Sequence, residues 1–144
     1  MVDLSRLAAE YIGNKTQAGI LMYRIETMQK GRKFLSGIPE VDLTEDERKI
    51  RDLIRSWRKK LFELELSICR YDLVVGAIDS RERIVLHLYY EKGLSMRKIS
   101  GMNLQKYAVD NMSVSTLNRV RKALVAKFNE QYRDDARRES QPAH

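Results

Sequence analysis

Residues 44–78, TEDERKIRDLIRSWRKKLFELELSICRYDLVVGAI, decide how this chain folds. The apolar residues Ile50, Ile54, Trp57, Leu61, Leu64, Ile68, Tyr71, Val75 and Ile78 recur in steps of four and three without a miss, which is the heptad spacing of one helix face. A half-buried strand would alternate its apolar residues, and this stretch does not. Thr44 and Glu47 stand at capping-box spacing, and Glu45 and Asp46 add negative charge where the helix dipole favours it. An isolated helix would leave this seam in water at a cost of about 25 cal/mol per Å² of apolar surface, so the helix requires a partner.

Toward the N-terminus the nearest candidate partner carries Leu4, Leu7, Tyr11, Asn14, Ala18, Leu21, Ile25 and Met28 at the same steps. Asn14 is the one polar member. A buried Asn fixes register in such a seam, but Gly13 and Gly19 also weaken the helix, and a local break is the preferred expectation. Residues 31–44, GRKFLSGIPEVDLT, combine Gly37, Pro39 and polar residues and read as the connection in which the chain reverses. An antiparallel hairpin would bury both seams, and a homodimer built on the second helix would do so equally. Trp57 and Tyr71 on the stripe are read as core. Cys69 beside Ile68 is read as a buried thiol, and as the single cysteine it allows no intramolecular disulfide, which fits a reducing compartment.

Beyond residue 78 the pattern shortens. In DSRERIVLHLYYEKG, residues 79–93, Asp79 and Glu82 repeat the capping-box spacing, Ile84, Val85, Leu88 and Tyr89 form an apolar face, and Gly93 supplies a terminator that tolerates the left-handed conformation. Ser95 caps a brief helix, MRKIS, which turns Ile99 inward and stops at Gly101. The stretch MSVSTLNRVRKALVAKF then reads as a basic helix with Ser113 or Ser115 as its cap and Leu117, Val120, Leu124 and Phe128 as its core face. The expected fold is all-α: an N-terminal long helical hairpin or coiled coil over residues 1–78, a helix-turn-helix unit over residues 79–130, and a charged, disordered tail over residues 131–144.

The chain has 27 Lys and Arg against 20 Asp and Glu, a formal charge of +7 that favours polyanionic partners. Between residues 95 and 127 Arg97, Lys98, Lys106, Arg119, Arg121, Lys122 and Lys127 face Asp110 alone, a local excess of seven minus one, or +6. Neither a signal peptide nor a run of roughly 20 apolar residues is present, so a soluble protein without a membrane partner is expected. His87 and His144 have no second His or Cys at metal-ligand spacing, and there is no glycine-rich phosphate loop. The reading is of a non-enzyme without metal or cofactor.

The progression RERIVLHLYYEKGLSMRKIS followed by MSVSTLNRVRKAL resembles the C-terminal helix-turn-helix of bacterial sigma factors. The whole arrangement is similar to phage late-gene transcriptional activators of the RinA and ArpU families, which are small, helical in their N-terminal half, and share the ER–YY–S–T–R–KAL progression. The specific likeness covers residues 80–128. It implies binding to double-stranded DNA, activation of late genes with host RNA polymerase, and residence in the cytoplasm of a bacterial host. The chain departs from the compact sigma-like unit at residues 100–111, SGMNLQKYAVDN, a stretch that holds an insertion of about two helical turns. It is expected to form a small extra helix with Leu104, Tyr107 and Ala108 on its apolar side, Tyr107 being read as packing.

On a helix at 100° per residue, Ser115, Arg119 and Lys122 lie opposite Leu117, Val120 and Leu124, with Asn118 beside them. Arg bonds two acceptors of guanine, Asn pairs with the adenine edge, and Ser and Lys serve phosphates or bases. The expected DNA-binding set is Arg97, Lys98, Ser113, Ser115, Thr116, Asn118, Arg119, Arg121 and Lys122. Arg121 lies on the core flank and is assigned to a backbone phosphate or an acidic neighbour. The second basic run, Arg48, Lys49, Arg51, Arg55, Arg58, Lys59 and Lys60, reads as a solvated face in preference to a further DNA contact. Two other functions fit the same residues. A small terminase subunit joins a helix-turn-helix to an oligomerising coil, although it ordinarily places the DNA unit first. A helical inhibitor of polymerase would use the basic face on an acidic protein.

Overall fold

Every regular element among the described residues is helical, and the computed structural model describes residues 2–37 and 44–140. In chain order these are α1 (Leu4–Ser36), α2 (Thr44–Ala77), α3 (Ser80–Val85) extended by a π-helical turn (Leu86–Glu91), α4 (Met96–Ser100), a 3₁₀ turn (Leu104–Tyr107) and α5 (Val114–Ser140). They fall into two units. One comprises residues 11–70; the other joins the first ten residues to residues 71 onward.

In the first unit the two seams meet each other. Ala18 and Leu21 of α1 bury against Leu64 of α2, and Trp57, Leu61 and Ile68 close around them. Nearer the other end, Gln29 and Arg32 of α1 share a cleft with Arg51, Ile54, Arg55 and Arg58 of α2. Rising numbers on α1 therefore meet falling numbers on α2, which is an antiparallel hairpin. Asn14 is half-buried, and α1 runs through Gly13 and Gly19 without the expected break. Beside Gly19 the burial of Ala18 and Leu21 against α2 supports the helix, although each glycine costs about 1 kcal/mol relative to Ala.

The helix also passes Gly31 and continues to Ser36, so the start of the expected connection is helical. The turn at Gly37 donates its N–H to the Phe34 carbonyl at 3.2 Å, and the rest of that connection, Pro39 included, lies outside the described residues. The cap expected at Thr44 likewise falls on a side chain that is not described, while Glu45, Asp46 and Glu47 do occupy the first turn of α2. Cys69 is exposed, against the reading of a buried thiol. One residue beyond Ile68 is a turn of 100°, enough to carry a side chain off a narrow seam.

The second unit takes in the last turns of α2. Tyr71, Val74 and Ile78 are buried there, with the Tyr71 ring 5.3 Å from that of Phe128 and its hydroxyl donating to Glu91 Oε2 at 3.3 Å. The boundary between the units consequently falls at Arg70 rather than at Ile78. Leu4 and Ala8 are buried in this unit, and the Val2 N–H donates to Asn129 Oδ1 at 2.8 Å. Leu117, Leu124 and Phe128 of α5 are fully buried, with Ile99 of α4 and Leu104 of the 3₁₀ turn. The helix does not end at residue 130. Phe128 and Tyr132 stack one turn apart at 6.2 Å, and α5 runs on to Ser140 in place of the expected disordered tail. No helix among the described residues is long and apolar enough to cross a membrane.

Two stability results are expected of the hairpin. Leu64→Ala should cost about 2–5 kcal/mol in urea unfolding, and exposed Lys60→Ala about 0.5 kcal/mol or less. Gly13→Ala and Gly19→Ala should raise stability by up to about 1 kcal/mol each, since a Cβ at either position meets nothing within 4 Å. A loss on either glycine substitution would show that the helical path there is strained.

Candidate nucleic-acid interface

The site is assembled from three short helical pieces and the long α5, held by local caps and one long-range ion pair. Asp79 caps α3 as its spacing predicts: its Oδ1 accepts from the Glu82 N–H at 2.8 Å, and Glu82 Oε1 accepts from the Asp79 N–H at 3.2 Å. Glu82 is only 2% exposed, because it shares a face with Val85 and Leu86 three and four residues on. Lys127 of α5 meets that buried carboxylate at 2.6 Å. By sequence Lys127 belongs to the basic surface, and the structure commits it instead to tying α5 to α3.

After Val85 the helix widens into a π turn, which no sequence signal predicts. The Lys92 N–H reaches the His87 carbonyl at 2.9 Å and the Leu94 N–H reaches that of Leu88 at 2.9 Å. Gly93, at φ 72°, then ends the helix as expected. The wide turn presents Tyr89 and Tyr90 edge to face, with ring centroids 4.8 Å apart. Arg121 lies against this pair, its guanidinium carbon 5.8 Å from the Tyr89 centroid and Nη1 3.5 Å from the Tyr89 hydroxyl. Its partner is thus an aromatic ring and phenol rather than an acidic neighbour. Burial pushes the Tyr90 phenol above its ordinary pKa, against the opposing charge of Arg121.

Ser95 caps α4, accepting from the Lys98 N–H at 3.2 Å, and Ile99 is fully buried beneath it. The following insertion is compact. Asn103 caps the 3₁₀ turn by accepting from the Gln105 N–H at 3.1 Å, and Asn111 Oδ1 accepts from the Leu104 N–H at 2.8 Å. The expected extra helix is therefore a single 3₁₀ turn with Leu104 buried and Tyr107 half-buried. Ala108 is exposed at φ 60°, not on the apolar side, because the chain reverses there in the left-handed conformation.

Of the two serines that could cap α5, Ser113 takes the role. Its hydroxyl accepts from the Thr116 N–H at 3.2 Å and donates to Thr116 Oγ1 at 3.0 Å, so both residues are engaged in the cap. Ser115, Arg119 and Lys122 are exposed along α5, and Asn118 is half-buried beside them. Arg97 and Lys98 are exposed on α4, which packs on α5. Among the described residues no acid pairs with Arg97, Lys98, Arg119 or Lys122. The expected set thus separates into a free basic group on α4 and α5, a capping pair, and Arg121 held by Tyr89. No family model, curated protein or solved structure matches the chain.

The cap, the ion pair and the raised Tyr90 phenol each contribute to the pH response of this unit. The Glu82 N–H, aided by the Lys127 charge, lowers the Asp79 pKa. A lowered carboxylate adds stability that is present above its unfolded value near 4 and is lost as pH falls through the folded value. The hydrogen bond to Glu82 raises the Lys127 pKa, and its contribution is complete below about 10.5 and lost as pH rises through the raised value. Thermal melts should show a neutral plateau with both edges. Asp79→Asn, which keeps a capping oxygen, should flatten the acid edge, whereas Asp79→Ala should also cost about 1 kcal/mol at neutral pH. An acid edge unchanged in Asp79→Asn would assign that loss to another carboxylate.

Proposed function

We propose that the C-terminal unit binds double-stranded DNA as a helix-turn-helix and regulates transcription, with the N-terminal half of α5 as the reading helix. One observation carries the reading: Arg97 and Lys98 on α4 and Arg119 and Lys122 on the adjoining α5 are exposed and unpaired by any described acid. Four unneutralised cations on two packed helices favour a polyanion, and Ser115 and Asn118 between them offer the donors and acceptors that base edges require. The resemblance to phage late-gene activators extends the proposal to late-gene activation in concert with host RNA polymerase.

Fluorescence anisotropy against a genomic target and a scrambled duplex, across a salt series, tests it. Arg119→Ala should weaken the target by about 1–3 kcal/mol and the scrambled duplex less. Arg97→Ala and Lys98→Ala should weaken both duplexes alike, each lowering the salt slope by about one unit. Melting temperatures should stay at the parent value, since these side chains leave the core intact. Unchanged target binding by Arg119→Ala, Lys122→Ala would remove the reading helix and favour an acidic protein partner.

A further inference from the structure

The hairpin carries a second concentration of positive charge. Arg51, Arg55 and Arg58 follow one another on α2 at steps of four and three, and Arg32 of α1 faces them across an open cleft of about 230 Å³ that Gln29 and Ile54 complete. The lining includes no carboxylate, and none of these four guanidinium groups has an acidic partner among the described residues. A solvated basic face would spread its charges around the helix. Here they converge from two helices, which costs repulsion in the free protein and is relieved by an anion. We propose that this cleft binds phosphate groups, with a nucleic-acid backbone as their source.

The spacing favours a chain of phosphates over a single ion. From Arg51 to Arg58 the axial rise of the helix is about 10 Å, longer than one phosphate can bridge. Successive phosphates along a strand meet such a row, and each planar guanidinium offers paired donors to the phosphate oxygens. Gln29 adds a neutral donor, and Ile54, 5% exposed, gives the cleft an apolar floor that limits hydration of the ion. The assignment does not depend on the α5 reading helix.

The test uses the full chain, the triple variant Arg51→Gln, Arg55→Gln, Arg58→Gln, and three probes: inorganic tripolyphosphate, a short duplex of random sequence, and polyglutamate as a carboxylate polyanion. Tripolyphosphate should raise the melting temperature of the parent and leave the triple variant unmoved. Without ligand the variant should melt no lower than the parent, because it relieves repulsion. Duplex binding should weaken in the variant, with the salt slope reduced by about 0.9 for each phosphate that is no longer neutralised. The Arg119→Ala, Lys122→Ala variant should keep its full response to tripolyphosphate, so failure of the reading helix and failure of the cleft are distinguishable. No response of the parent to tripolyphosphate overturns the site, as does a ligand-free variant that melts early, which would make the arginines structural. A tripolyphosphate response with unchanged duplex binding overturns the nucleic-acid source and leaves a site for free polyphosphate. An equal response to polyglutamate overturns the preference for phosphate.

Discussion

The Glu82 carboxylate is the constraint around which the C-terminal unit is arranged. A charge that is 2% exposed is costly unless it is paired and hydrogen-bonded. Glu82 Oε1 receives both the Asp79 N–H and the Lys127 ammonium, while Oε2 is buried without a partner. The single oxygen that is satisfied thereby fixes the start of α3 and the rotation of α5 about its own axis. Lys127 sits three residues from Leu124 and one from Phe128, so the bond to Glu82 and the burial of those side chains demand the same facing of α5. With that facing set, Ser115, Arg119 and Lys122 are left outward. The exposed chemistry of α5 follows from the buried chemistry at its other side.

Much of this is legible in the sequence where the cause is local. The seam residues Ala18, Leu21, Ile25, Ile54, Leu64 and Tyr71 are buried because helical spacing alone brings them to one face. The caps at Asp79, Ser95 and Ser113, and the terminator at Gly93, depend on residues at most three apart. Where a local reading fails, the helices outrun their local signals: Gly13, Gly19 and Gly31 sit inside a helix of 33 residues, and α5 continues ten residues past the expected limit to Ser140.

The candidate site is less legible because its decisive contacts are distant in the chain. Arg121 meets Tyr89 across 32 positions and Lys127 meets Glu82 across 45. Spacing on α5 places Arg121 on the core flank and Lys127 on the basic surface, and names the partner of neither. Glu82 does carry a signal, since a carboxylate three and four residues before Val85 and Leu86 shares their inward face and requires a counterion. The π turn, which carries the Tyr89 ring that Arg121 meets, has none. The cleft of Arg32, Arg51, Arg55 and Arg58 needs the fold as well, because only the antiparallel pairing brings Arg32 opposite the other three.

Trp57 is the single tryptophan of the chain, and it packs half-buried against Ala18, Leu21 and Leu64 within the hairpin. Of the seven tyrosines, Tyr71, Tyr89, Tyr90, Tyr107 and Tyr132 belong to the other unit, and Tyr11 and Tyr23 to the hairpin. Indole emission excited at the red edge of its absorption is therefore a reporter of the hairpin alone, and tyrosine signals weigh toward the C-terminal unit. The indole signal thus belongs to one unit and five of the seven phenols to the other. Opening of one unit can be followed against the other in the unmodified chain, without a label placed on either.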